Sequence, residues 1–174
     1  MPITITATVD PARSRVEART EHDHRISMDA YPPEGDDAAA GPKEALLATL
    51  AGCTSMDVAS ILRKKRQTAE AYEIAVSGET ADEHPRVFTT ISVEHRVTGA
   101  VEAEALRRAI ELSATRYCPV NAMLSAVATI EHRYSLTNGD GTSRAALVAI
   151  TGPSGTRVLS HDRPAPGHDA LRSS

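Results

Sequence analysis

Alternating apolar and polar residues near the start of the chain predict three short strands. In ITITATV, residues 3–9, Ile3, Ile5 and Val9 alternate with threonines, a period-two pattern typical of a half-buried strand. SRVEART and HRISMDA, residues 14–20 and 24–30, predict two further strands. The segment YPPEGDDAAAGP, residues 31–42, is rich in proline, glycine and aspartate and therefore predicts a loop.

An uncharged helical segment follows that loop. Pro42 suits the first position of a helix running to about Arg66, and the closing RKKR places positive charge where the helix dipole favours it. No charged residue occurs from Ala45 to Met56, and a helix that is apolar all round is a buried one. Because the few short strands of one chain would not cover it, we expect a second subunit to help. The alternative is a monomer whose own sheet and tail cover the helix.

The remaining pattern places two more helices among further strands. Alternation predicts strands at 72–78, 87–97 and 129–136, while 101–116 reads as an amphipathic helix and Pro119 begins a short helix to about Val127. This order predicts an α+β fold rather than alternating βαβ units. We expect a single domain over residues 1–138 and a C-terminal extension over 139–174. The extension contains one candidate strand at 144–150, and its proline-rich, polar end from residue 161 is expected to be disordered.

Composition and charge exclude several classes of protein. The 174 residues carry 19 basic and 23 acidic side chains, for a net charge of −4, and these are interspersed. The absence of a basic stripe with interleaved aromatics argues against nucleic-acid binding. The opening MPITITATVD resembles no signal peptide, and no run reaches the roughly 18 apolar residues of a membrane span. We therefore expect a cytoplasmic protein without a membrane partner, whose thiols are kept reduced.

The two cysteines occupy different local environments. Cys118 precedes Pro119 and is the predicted N-cap of the short helix, where free N–H groups and the helix dipole lower a thiol pKa from its usual value of about 8.5. Cys53 lies in the middle of the apolar helix, which should raise its pKa, and Asp57 one turn later would add to that effect. The residues alone thus favour Cys118 as the more acidic thiol. They do not decide whether Cys53 is a core residue or a functional thiol.

Other kinds of site have weaker support. There is no C-x-x-C or paired-histidine spacing, and His22 and His24 lie in a charged loop, so the spacing predicts no metal site. His95 and His132 fall on the inward faces of predicted strands and are expected to be hydrogen-bonded core histidines. The chain lacks the G-x-S-x-G signature of a serine hydrolase.

Two ordered motifs carry a resemblance to a known family. The segment GPKEALLATLAGCTSMDVASIL, with ELSATRYCPVNAML further along, resembles the OsmC/Ohr superfamily, named for osmotically inducible protein C and organic hydroperoxide resistance protein. HRISMDAYPPEG and PRVFTTISVEHRVTG extend the resemblance from about residue 24 to residue 136. It is nearer to the less characterised OsmC-like branch. The resemblance implies antiparallel sheets packed around central buried helices in an intertwined homodimer.

The resemblance also implies an activity. Cys53 would be the thiol that attacks the O–O bond of an organic hydroperoxide and becomes a sulfenic acid. Cys118 would resolve it as a disulfide, which a cellular dithiol then reduces. No metal or organic cofactor is needed, and the role would be defence against oxidative stress. The apolar surroundings of Cys53 suit a lipid-like hydroperoxide.

A glutamate and an arginine support the thiolate in the peroxidases of this family. Glu44 resembles that glutamate but lies one position closer to the cysteine than usual. Nine helical residues before Cys53, it would be on the opposite face and about 13 Å away along the axis, so it could serve only the partner chain's Cys53. The alternative is an ordinary first-turn glutamate favoured by the dipole. None of Arg13, Arg15 and Arg19 is assigned as the arginine.

The shifted glutamate and missing arginine motivate a second hypothesis. In this hypothesis the cysteines are packed in the core and react slowly. The protein binds an apolar small molecule in the same pocket at the dimer interface and does not catalyse a reaction.

Overall fold

The computed structural model describes residues 2–159. The end of the chain expected to be disordered, residues 161–174, lies outside the described residues. The chain forms two compact units, Met1–Ala48 and Thr49–Ser174. The domain boundary expected at residue 138 stays a prediction.

The first unit contains an antiparallel sheet of three strands in the order β1-β2-β3. The strands are Ile5–Asp10 (β1), Arg15–Thr20 (β2) and Arg25–Met28 (β3), close to the three that alternation predicts. In the loop that follows, the buried Asp29 accepts hydrogen bonds from the backbone N–H groups of Ala30 and Ala38, at 2.8 and 2.9 Å. These bonds order the loop that leads to the long helix.

The long helix, Pro42–Lys64 (α1), begins at the expected proline. Its buried residues are Leu50, Thr54, Val58 and Leu62, which repeat every four residues and so form one stripe. Leu46 and Met56 remain 39% and 74% exposed. Within one chain the helix is therefore buried on one side only, in line with the expectation that one chain's strands do not cover it. That a second subunit covers the other side stays a prediction. The apolar residues on the exposed side of α1 are therefore available to pack against another surface.

By length and composition, α1 is also the one helix of the described residues that is capable of crossing a membrane. That is weak evidence for a span, since core helices of soluble proteins meet the same test. Val58 and Leu62 of α1 belong to the hydrophobic core of the second unit.

The second unit is built on a five-stranded sheet in the order β4-β5-β6-β7-β8. Its strands are Thr68–Thr80 (β4), Phe88–Ala100 (β5), Thr129–Thr137 (β6), Ser143–Gly152 (β7) and Gly155–Val158 (β8). Neighbouring strands run antiparallel except β5 and β6, which are parallel, with Ile91 opposite Ile130. The expected antiparallel arrangement is wrong for this pair. The chain between β5 and β6 makes a helical crossover rather than a hairpin, and a crossover returns the strand in the same direction.

That crossover consists of Ala103–Leu112 (α2), a π-helical turn at Ser113–Tyr117, and Pro119–Leu124 (α3). Both helices are shorter than the pattern predicts. The core lies between α1, α2 and the inner face of the sheet, and its largest members are Val58, Leu62, Val97, Leu106, Ile110, Tyr134, Leu136 and Val148. The expected α+β class is confirmed, with aliphatic residues supplying most of this core.

Candidate functional site

The two cysteines meet in the second unit although they lie far apart along the chain. The sulfur atoms of Cys53 and Cys118 and a carboxylate oxygen of Asp57 all lie within 4.8 Å of one another. Both thiols are free; Cys53 is half-buried, whereas Cys118 is buried, with 3% of its surface exposed. A molecule arriving from solvent therefore reaches Cys53 more easily than Cys118.

A π-helical turn places Cys118 at this site. The Cys118 N–H donates to the Ser113 carbonyl at 3.0 Å, which widens the end of α2 and lets a new helix begin at Pro119. The Cys118 sulfur then accepts the Asn121 backbone N–H at 3.3 Å, so the predicted N-cap is confirmed. Irregular helical turns of this kind are frequent at functional sites.

The pKa of Cys118 differs from the sequence-based expectation. Burial, together with its hydrogen bond with Cys53, raises the pKa of the Cys118 thiol to about 12, against the lowering effect of the Asn121 N–H. The prediction of an acidic Cys118 is therefore wrong. One N–H donor and the dipole of a helix of 6 residues do not offset the loss of water around the thiolate.

Asp57 lies one turn after Cys53 on α1 and is held by the π-helical turn. The Ser113 hydroxyl donates to Asp57 Oδ2 at 3.0 Å, and Ser113 is itself buried. Ser113 thus orients both Cys118, through its carbonyl, and Asp57, through its hydroxyl. The i, i+4 spacing of Cys53 and Asp57 indicates a shared helix face, but nothing in the sequence indicates the part played by Ser113.

A buried polar network supports Cys118 from the sheet side. The Asn121 side chain donates to the Ala114 carbonyl at 2.7 Å, and its Oδ1 lies 2.8 Å from His132 Nε2. The His132 ring stacks at 6.2 Å on His95, whose Nδ1 lies 2.6 Å from the Tyr72 hydroxyl. A continuous line of polar side chains therefore extends from β4 to the start of α3.

Both histidines are buried and hydrogen-bonded, as the strand pattern predicts. Burial lowers the pKa of His95 to about 3, with a further contribution from His132, and lowers the pKa of His132 to about 4. Because Asn121 Oδ1 is an acceptor, His132 Nε2 carries the proton and Nδ1 carries the lone pair. His95 Nε2 and His132 Nδ1 have no hydrogen-bond partner within the described residues. Each imidazole ring is therefore hydrogen-bonded there through one of its two nitrogens.

A cleft of about 550 Å³ opens beside the cluster. Ile61, Leu112 and Tyr117 form its apolar part, and Asp57 lies on its wall. Lys64 and Lys65 also line it. A molecule with an apolar body and a polar or anionic group is the kind of ligand that such a surface accommodates.

The contacts of Glu44 are local to the start of α1. Its carboxylate accepts the Gly41 N–H at 2.7 Å, and this bond, with a second from the Tyr31 hydroxyl, lowers the pKa of Glu44. Glu44 therefore caps the free N–H groups of the helix end, which agrees with the first-turn alternative. A role for Glu44 at a partner chain's Cys53 stays a prediction.

Two of the three candidate arginines form ion pairs at the surface of the first unit. Arg13 contacts Asp36 at 3.0 Å, and Arg19 contacts Asp23 at 3.0 Å. These contacts assign neither arginine to a thiol.

Comparisons with known proteins agree with the family predicted from the two cysteine motifs. The model of the family described as OsmC-like protein matches residues 35–133. Protein YhfA of Escherichia coli strain K12 is 39% identical over 114 residues, which are 65% of this chain and 83% of that protein.

Solved structures share the fold. A hypothetical protein from Aquifex aeolicus VF5 has a TM-score of 0.71 at 24% identity, over 79% of this chain and 98% of that one. An OsmC-like protein from Mycoplasma pneumoniae has a TM-score of 0.68 at 21% identity, over 78% and 97%. An organic hydroperoxide resistance protein from Elizabethkingia anophelis has a TM-score of 0.60 at 13% identity, over 80% and 97%.

Proposed function

This chain belongs to the OsmC-like protein family, and on that premise we propose that it is a thiol-dependent peroxidase that reduces organic hydroperoxides. Family membership and the two neighbouring cysteines support a redox or peroxide-resistance role. The observation that carries the proposal is the distance of at most 4.8 Å between the Cys53 and Cys118 sulfurs. Two thiols this close, one half-exposed and one buried, have the arrangement of an attacking and a resolving cysteine.

The first step is oxidation of Cys53. Its thiolate attacks the terminal oxygen of the hydroperoxide, the O–O bond breaks, and the departing alkoxide takes up a proton to leave as the alcohol. Cys53 becomes a sulfenic acid. The greater exposure of Cys53 and the high pKa of Cys118 support this assignment of roles.

The second step forms the disulfide. Cys118 loses its proton and attacks the Cys53 sulfur, and the sulfenic oxygen leaves as water. A disulfide needs a sulfur–sulfur distance of about 2.0 Å, so the two side chains close a gap of a few ångströms. A dithiol then reduces the disulfide by thiol exchange, and none of the steps uses a metal or an organic cofactor. The cytoplasm, where thiols are kept reduced, suits this cycle.

We include a homodimer in the proposal. The exposed apolar residues of α1, Leu46 and Met56 among them, support a second chain that covers the helix. In such a dimer the Glu44 carboxylate of one chain would support Cys53 of the other. Sedimentation of the purified chain tests this arrangement, and Leu46→Lys should shift the equilibrium toward the monomer.

Cumene hydroperoxide provides the test of the activity. One equivalent added to the reduced chain should consume both thiols and form an intramolecular disulfide. Cys53→Ser should abolish turnover, whereas Cys118→Ser should stop at a sulfenic acid that dimedone traps. Met56→Leu, which removes an exposed sulfur from the same helix, is the matched control and should keep full activity. Survival of both thiols after stoichiometric oxidant would refute the proposal.

The cleft beside Asp57 favours a second candidate, a binding protein for an apolar small molecule. Its volume of about 550 Å³ is within the usual range for small ligands. Under this candidate Cys53→Ser leaves ligand affinity nearly unchanged, and alkylation of Cys53 is slow at neutral pH. Rapid alkylation of Cys53 in the parent chain, together with loss of turnover in Cys53→Ser, would favour the peroxidase.

A further inference from the structure

The cluster of Cys53, Asp57 and Cys118 contains the donor atoms of a metal site as well as a redox pair. Two sulfurs and a carboxylate oxygen lie within 4.8 Å of one another. We propose that the reduced chain binds one Zn²⁺, or a divalent ion of similar softness, through these three side chains.

The spacing of the three donors fits this ion. Zinc takes thiolate sulfur at about 2.3 Å and carboxylate oxygen at about 2.0–2.2 Å in a tetrahedron, so its ligand atoms lie roughly 3.5–3.8 Å apart. Rotations that move each donor atom by about an ångström bring the observed cluster to that spacing. Two thiolates select zinc over magnesium or calcium, which prefer all-oxygen sites.

The neighbouring groups form the outer shell that metal sites have. The Ser113 hydroxyl donates to Asp57 Oδ2 at 3.0 Å, and the Asn121 N–H donates to the Cys118 sulfur at 3.3 Å. Such bonds orient metal ligands and stabilise their charged forms. Asp57 also lines the neighbouring cleft, so one of the three ligands is reached from that side.

Metal binding changes the charge of the site. Two thiolates, one carboxylate and Zn²⁺ leave one negative charge, and two cationic side chains, Lys64 and Lys65, line the neighbouring cleft. Each thiol that holds a proton in the free chain releases it when the metal–sulfur bond forms. The disulfide form has no thiolate to offer, so metal binding and oxidation of the pair exclude each other. That consequence for hydroperoxide reduction rests on the proposed function, whereas the metal site itself does not.

Cobalt and zinc together test the site in the reduced full-length chain. Co²⁺ added under anaerobic conditions should produce a sulfur-to-cobalt charge-transfer band that saturates at one ion per chain. Zn²⁺ should displace the cobalt and remove the band. Ions bound at histidines elsewhere produce no such band, so it reports thiolate ligation alone. Absence of the band at saturating cobalt would overturn the proposal.

Variants separate the metal site from the thiol pair. Asp57→Asn keeps both cysteines and an acceptor for Ser113, yet should weaken Zn²⁺ binding, measured against a chromophoric chelator, by more than about tenfold. Asp82→Asn, which removes a carboxylate from an exposed turn, is the control and should bind as the parent does. Cys53→Ser and Cys118→Ser should each lose the cobalt band. Unchanged affinity in Asp57→Asn would remove Asp57 from the site and overturn the three-ligand proposal.

The same preparations distinguish the two proposals. A parent chain that binds zinc but leaves hydroperoxide unreduced retains the metal site and contradicts the peroxidase. A parent chain that reduces hydroperoxide but shows no cobalt band supports the peroxidase and contradicts the metal site. Where both hold, equimolar Zn²⁺ should protect both thiols from alkylation and from oxidation, and a chelator should restore their reactivity.

Discussion

The buried histidine pair should make the folded chain less stable as the pH falls from about 7 to about 5. Burial lowers the pKa of His95 to about 3 and that of His132 to about 4, whereas an unfolded histidine has a pKa near 6.5. Between these values the unfolded chain takes up protons that the folded chain excludes. The stability associated with the neutral imidazoles is therefore present above the unfolded pKa and is lost as the pH falls toward the folded pKa values.

The size of the effect follows from the pKa difference. Each imidazole that titrates only in the unfolded chain lowers the free energy of unfolding by about 1.4 kcal/mol per pH unit below its unfolded pKa. For the two histidines the loss between about pH 7 and about pH 5 amounts to roughly 4 kcal/mol. This is a large part of the free energy of unfolding of a typical domain, which is roughly 5–15 kcal/mol. Asp29 and Glu44, whose pKa values are lowered by hydrogen bonds, contribute at more acidic pH and not in this interval.

Urea unfolding followed by circular dichroism measures the loss. It is recorded at several pH values between these limits, at fixed ionic strength and fixed protein concentration, so that association does not change the midpoint. The free energy of unfolding should fall by about 4 kcal/mol while the denaturant slope stays constant.

Substitution identifies the groups responsible. His132→Gln, which retains a donor for Asn121, should halve the pH dependence, and His95→Gln together with His132→Gln should nearly remove it. His22→Gln, at an exposed turn of the first unit, is the control and should keep the parental profile. The reasoning fails if the parent loses less than about 1 kcal/mol over this interval, or if His132→Gln leaves the profile unchanged.

Three further predictions concern the site and the sheet. The pKa of Cys118, raised to about 12, should slow alkylation of this thiol at mildly alkaline pH by about a hundredfold or more relative to the unfolded chain. Peptide mapping by mass spectrometry measures both rates. Equal rates in the folded and unfolded chains would contradict the raised pKa. Asn121→Ala removes the hydrogen-bond partner of the buried His132 and should lower the free energy of unfolding by about 3 kcal/mol. A decrease of less than about 1 kcal/mol, measured by urea titration, would show that the polar network contributes little to stability. Gly99→Ala should cost about 1–3 kcal/mol, because Gly99 has a φ of 128° and an added Cβ would lie 2.6 Å from the Glu70 nitrogen; an unchanged thermal midpoint would show that the strand accommodates it.

Several features of the fold could be predicted because their causes are local. Alternation of apolar residues predicts the strands, and Pro42 predicts where α1 begins, since proline suits the first turn of a helix. The Cys118–Pro119 pair predicts an N-cap for the same reason. The parallel pairing of β5 with β6 is not local. It depends on the path of the crossover that contains α2 and α3, which alternation within a strand does not encode.

The acidity of Cys118 shows why the site was harder to predict than the elements that carry it. Its sequence neighbours predict a lowered pKa, but the raised pKa arises from burial and from Cys53, which is distant along the chain. Ser113 is a similar case. Its carbonyl and hydroxyl orient two site residues only because a π-helical turn brings it against α1.

The amino-acid sequence by itself determined the positions of most helices and strands, the N-cap at Cys118 and the family to which the chain belongs. These properties depend on local backbone preferences and on motifs that can be read in linear order. Only the tertiary structure decided that Cys53, Asp57 and Cys118 share one site, and that the histidines behind them stay neutral. Distances between remote residues and the exclusion of water are set by packing, and packing exists only once the chain has folded.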